Sequence, residues 1–233
     1  MYPSTPHPPQ EQTHASAAAS KAHLQHETRG LIYSLISSAY RDVPDSELLS
    51  LFQTSQEKVL NFLQSSPVSE AKSVSNSMQQ IILTLQEHER DFLPLRKQFT
   101  ALFLHPEGVH AYESVYMGKK KRLMDKPWVE VKNFYLEYGL EKGSVEELTE
   151  DHIAVELGFM AHLAYMSADD ELEEGELDLL AGQAKFLEQH VLQWVPRLCR
   201  DMTARPFTGF YGLVARMTQS WVVLDHRALQ EAL

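Results

Sequence analysis

The sequence predicts an all-α protein. Apolar residues recur at spacings of three and four from Leu24 almost to the C-terminus. No stretch alternates apolar with polar residues between strand-like flanks. At 233 residues the chain has room for a short tail and one helical domain. The expected layout is an unstructured tail over 1–22 and a compact domain of about ten helices over 23–233.

The tail expectation rests on four prolines within the first nine residues, followed by Ser, Thr, Gln and Ala. His7, His14, His23 and His26 are irregularly spaced, as solvated residues would be. Leu24, Leu31, Leu35 and Ile36 mark one face of a first helix running to about Tyr40. Asp42-Val-Pro-Asp45 breaks it, and Asp45 opens a short helix through Phe52. Val59, Leu60 and Leu63 mark a further helix, ended near Ser66-Pro67. Val74, Met78, Ile81, Ile82 and Leu85 belong to a longer one, and Leu95, Phe99, Leu102 and Phe103 to the next.

Leu104 to Lys126 breaks the pattern. It carries Pro106, Gly108, Gly118, Tyr112 and Tyr116 without a helical period, and ordered loops of that length tend to carry function. Helix resumes at Pro127 and stops at Gly139. Ser144-Val-Glu-Glu147 reads as a capping box, and Thr149 as the cap of a helix striped by Ile153, Leu157, Met160 and Ala164. Asp169 to Asp178 holds seven carboxylates in ten residues. Leu177, Leu180, Ala184 and Leu187 then mark a helix reaching past His190, Trp194, Leu198 and Met202 another, and Phe210, Val214, Met217, Trp221 and Leu224 the last.

Composition narrows the function classes. A formal charge of −11 argues against nucleic-acid binding and suits a basic partner, drawn in over roughly a Debye length of about 8 Å. The single Cys199 excludes an intrachain disulfide and a multi-cysteine zinc site. No run is long and apolar enough to span a membrane, and neither a secretory signal nor an Arg-Arg pair is present, so the cytoplasm is the expected location.

The sequence is nearly empty of catalytic motifs. There is no phosphate loop, dinucleotide fingerprint, His-Glu-x-x-His or Gly-x-Ser-x-Gly. A helical di-metal site would need two Glu-x-x-His pairs, and the one present, Glu11 to His14, lies in the tail. Asp151-His152 with Glu156 is a tight polar cluster near a helix start, readable as a cap beside a His–Glu pair. Cys199 reads as a small core residue and Lys119 to Arg122 as a solvated loop tip.

Two segments carry a resemblance. Phe99-Thr-Ala-Leu-Phe-Leu-His-Pro106, followed by Ala111-Tyr-Glu-Ser-Val-Tyr116, resembles the TorD/DmsD/NarJ chaperones where a helix runs into a proline-bearing aromatic loop. Glu150 to Ala161 resembles their second motif, an Asp-His pair opening a long helix. Trp194-Val-Pro-Arg, Phe210-Tyr-Gly-Leu and Trp221 also fit, so the likeness spans about residues 24 to 225. Thr149 and Glu150 stand where a proline is common, and Gly158 where many relatives carry Glu.

The resemblance implies a chaperone without catalytic turnover. It would bind the twin-arginine signal peptide or N-terminal region of a molybdopterin-dependent reductase subunit, and hold it until cofactor insertion, before export or assembly. No cofactor of its own is expected, and a monomer or helix-swapped dimer is open. Phe103, Pro106, Tyr112, Glu113, Ser114, Tyr116, Asp151 and His152 match the motif positions of the peptide groove. The tyrosines would offer flat apolar area or else close the core, Glu113 and Asp151 would pair with arginine unless Asp151 only caps, His152 would orient Asp151 or sense pH, and Phe103 and Pro106 would shape the wall. Two other readings stay open: a metal-dependent enzyme using Asp151, His152, Glu156 and His162, and an adaptor using the acidic run.

Overall fold

The computed structural model describes residues 10–141, 147–169, 175–205 and 209–233. The Ser144–Glu147 capping box and the centre of the acidic run fall largely outside them, as do residues 1–9 of the expected tail. Helix α1 spans Gln10–Arg41, so helical backbone extends over residues that the composition assigned to the tail. Beyond Pro9 no proline or glycine interrupts this stretch before Gly30, and its alanines favour helix.

Asp45 caps α2, accepting from the Glu47 and Leu48 N–H groups at 3.0 Å each. Helix α2 runs unbroken over Ser46–Gln64, where the sequence suggested two helices. No proline or glycine separates Phe52 from Val59, and Ser55 turns inward to bridge the two apolar stretches. Helix α3 spans Ser69–Glu87. Helix α4 (Leu93–Phe99) continues as a π-helical turn through Leu104 and delivers the chain to the aromatic loop. That loop contains a short helix, α5 (Glu113–Met117), which the sequence pattern did not reveal.

Helix α6 spans Lys126–Glu137 and ends beside Gly139, whose φ of 69° suits a residue without a side chain. Helix α7 spans Ile153–Met166. Helix α8 (Glu176–Phe186) passes through a π turn, Leu187–Val191, straight into α9 (Leu192–Thr203), and α10 spans Gly209–Ala232. Among the described residues there is no strand and no helix long and apolar enough to cross a membrane.

The layers follow from which faces are apolar. Helix α1 packs along α7, while α10 lies against α3 and α9, and α2 against α3 and α1. Helix α7 is apolar nearly all round, as a helix buried between layers must be. Cys199 is buried in this core, and desolvation pushes its thiol up to about 12, so it is no nucleophile.

Candidate functional site: the aromatic loop bridged to the start of α7

The loop after α4 is pinned to the start of α7 by backbone. The Glu113 N–H donates to Asp151 O at 2.8 Å and the Ile153 N–H to Ala111 O at 2.9 Å. Together they form an isolated antiparallel bridge between Tyr112 and His152. The two rings meet edge to face with centroids 4.7 Å apart. The two segments singled out by sequence therefore converge.

Side chains complete the clamp. Asp151 is fully buried; Oδ2 accepts the Ser114 N–H at 2.9 Å and Oδ1 accepts the Thr149 hydroxyl at 2.6 Å. Helix α5 has no side-chain cap of its own, so Asp151 caps it from across the bridge. Thr149, expected to cap α7, is thus spent on Asp151, and the cap of α7 is His152. Its Nδ1 accepts the Ala154 N–H at 3.2 Å, which requires a neutral ring with the proton on Nε2. Burial and the nearby Arg41 charge lower the His152 pKa to about 3.

An acid cluster lies beneath the bridge. Glu113, nearly buried, accepts from His190 Nδ1 at 3.1 Å. Fully buried Glu156 accepts the Trp194 indole N–H at 3.0 Å through Oε2, while Oε1 has no donor. Burial first, then the charge of Glu113, holds the Glu156 carboxyl well above the usual carboxylate range; burial likewise raises Glu113. The cluster is satisfied when Glu156 carries a proton and donates it to Glu113. His190 and Trp194 were read from sequence only as helix positions. Neither has a motif spacing to Glu113 or Glu156, so no local signal could have joined them.

The remaining expected residues disperse. Phe103 is half-buried among Tyr40, Phe99 and Tyr211, and Pro106 is exposed on the loop. Tyr116 packs at a tilt against Trp194, centroids 5.5 Å apart, and its hydroxyl donates to Asp201 at 2.9 Å. It also lines an open groove of about 780 Å³ with Val109, Val115, Arg197, Arg200 and Asp201 among its walls. His162 is exposed on α7, apart from buried Asp151 and Glu156. Among the described residues no group of three or more His, Cys, Asp or Glu is arranged to hold a metal ion.

Residues 69–200 match the family model described as nitrate reductase delta subunit. The chain is also 30% identical to a chaperone protein TorD of Vibrio atlanticus, over 87% of this chain and 95% of that one. The chain belongs to the TorD family. A TorD of Photobacterium profundum is 32% identical over 67% of this chain and 73% of the relative. A solved structure from Archaeoglobus fulgidus, described as a redox enzyme maturation protein, has 18% identity and a TM-score of 0.42 over 85% of this chain and 92% of that one. At that distance it adds nothing to the assignment. TorD relatives are chaperones rather than enzymes, which decides against the metal-dependent alternative built on Asp151, His152 and Glu156.

Proposed function

We propose that this TorD-family chaperone binds the twin-arginine signal peptide or N-terminal region of a molybdopterin-dependent reductase subunit in the cytoplasm. It holds that segment until cofactor insertion is complete, before export or assembly. The observation that carries the reading is the bridged loop itself. Leu104, Met117, Leu123 and Met124 are exposed in the same stretch of chain that carries half-buried Tyr112 and Tyr116. Such a concentration of exposed apolar side chains in one short segment suits the apolar stretch of a signal peptide.

The eight expected site residues divide by access. Tyr112, Tyr116 and Pro106 are open to a ligand in the bridged form, and Phe103 braces the root of the loop. Glu113, Ser114, Asp151 and His152 are buried and hydrogen-bonded internally. Arginines would meet the Glu113 and Asp151 carboxylates only after the Tyr112–His152 bridge parts, so peptide capture is coupled to loop opening.

Titration calorimetry of the full chain with a synthetic twin-arginine peptide, combined with amide exchange, tests this. Binding should deprotect the Glu113 and Ile153 amides, the two donors of the bridge. Absence of binding, together with normal reductase maturation in a strain lacking the gene, would refute the proposal.

A further inference from the structure

The groove beside Tyr116 has the wrong charge for a peptide of paired arginines. Lys121, Arg197, Arg200 and Arg205 line it, and Asp201 is the one acid among its lining residues. This occurs in a chain whose formal charge is −11. Arg200 and Arg205 lie around the C-terminal end of α9, where cations complement the helix dipole. That does not account for Arg197, two turns earlier, or for Lys121, which comes from the aromatic loop and faces the same space. Lys121 holds its place at a φ of 46°, a left-handed conformation uncommon for a side-chain-bearing residue.

We infer that this groove is a docking site for an acidic, extended segment of a partner protein, adjoining the proposed signal-peptide site and sharing Tyr116 with it. The occupant follows from how the charges are spread. Arg197 and Arg200 lie on α9 and Arg205 two residues past its end, so the cations are spread over roughly 12 Å at about 1.5 Å per residue rather than converging on a point. A single phosphate would engage one end of that spread. An extended chain advances about 3.3 Å per residue, so about five residues cover it. The cationic lining is interrupted around Tyr116. There Arg197 lies over the Tyr116 ring, 5.9 Å from its centroid, and Asp201 takes the Tyr116 hydroxyl. That part favours an apolar or aromatic side chain and repels a carboxylate, while Lys121, Arg200 and Arg205 favour carboxylates. The recognised segment combines acidic residues with an apolar one. Cationic walls would also repel the paired arginines of a signal peptide, which steers that end of the peptide away from this groove.

Fluorescence anisotropy of the full chain with a labelled short peptide, acidic at both ends and apolar in the centre, tests the inference. The expected result is binding that weakens with added salt. It should weaken about tenfold in a chain carrying Lys121→Glu and Arg200→Glu, both at exposed positions. Thermal melting should match the parent, and binding of the twin-arginine peptide should be unaffected or tighter. Unaltered affinity in the double variant, or no binding at low salt, would overturn the site. Complete displacement of the peptide by equimolar pyrophosphate would replace it with a small phosphate ligand and also overturn the inference. Failure of the twin-arginine peptide to bind would count against the proposed function and leave this groove standing.

Discussion

Two buried polar networks in this molecule are built on opposite terms. Between α1 and α10, Arg29 Nε donates to Asp225 Oδ1 at 2.5 Å and its NH2 nitrogen to Oδ2 at 3.0 Å. Gln183 and Tyr33 take up further valences, at 2.6 and 2.8 Å. Charge is balanced and the geometry is bidentate, as a buried ion pair needs. Under the aromatic loop, Glu113 and Glu156 lie together and Glu156 Oε1 has no donor. That network is complete only with an added proton. The first fixes the fold, while the second is a titratable support under the segment that the proposed peptide capture would open.

Breaking the balanced network should have the largest effect. Asp225→Ala leaves the Arg29 guanidinium buried without its counter-charge, and urea unfolding should register a loss of about 3–5 kcal/mol. A loss below about 1 kcal/mol would mean that water reaches Arg29, and the contrast between the networks would fail.

Next in size is the acid response of the bridge. His152 stays neutral in the folded chain down to about pH 3, whereas in the unfolded chain it takes a proton near pH 6.5. Below 6.5 the unfolded state binds more protons, so stability falls as pH falls. The slope is about 1.4 kcal/mol per pH unit, or roughly 2 kcal/mol between pH 6.5 and 5. His152→Asn keeps a capping acceptor for Ala154 without titrating, and denaturation across that range should show a flatter curve. An unchanged slope would place the imidazole in water.

Glu156→Gln should act in the opposite direction and more gently. With its folded pKa raised, Glu156 weakens the fold as pH rises from the ordinary carboxylate range toward the folded value. The amide supplies a permanent donor to Glu113 and never charges. The variant should match the parent near pH 5 and exceed it by on the order of 1 kcal/mol near pH 8, read from urea midpoints. A variant less stable than the parent at pH 8 would show that the native cluster prefers the ionised acid.

How much of this was legible in the sequence depended on the range of the interaction. The helix stripes report local periodicity, and nearly every stripe residue named for α3, α7 and α10 lies in the core. The convergence of the loop with Asp151-His152 was readable only through the family motif, since the backbone bonds joining them leave no periodic trace. Arg29 and Asp225 were overlooked although a signal existed. Arg29 lies one turn before Tyr33, and Asp225 lies between Trp221 and Leu229, so each charge interrupts an apolar stripe. The direction of the Glu113 and Asp151 side chains, inward and already bonded, could not be read. Whether a carboxylate caps a neighbour or waits for an arginine depends on which amide lies opposite it, and that is set by tertiary packing.

The smallest expected change in stability separates the loop's packing from its polar contact. In Tyr116→Phe the ring keeps its place on Trp194 and loses only the donation to Asp201, which is exposed. Melting should shift by no more than about 0.5 kcal/mol in stability. The released Asp201 carboxylate, no longer bonded to the phenol, turns more negative potential into the groove. Affinity for an acidic peptide should therefore fall while the fold is scarcely touched. Tyr116→Ala removes the ring packed against Trp194 as well and should lower both. If Tyr116→Phe destabilises the chain as much as Tyr116→Ala, the hydroxyl is part of the structural clamp, and the division between a rigid core and a loop poised for ligands would have to be redrawn at Asp201.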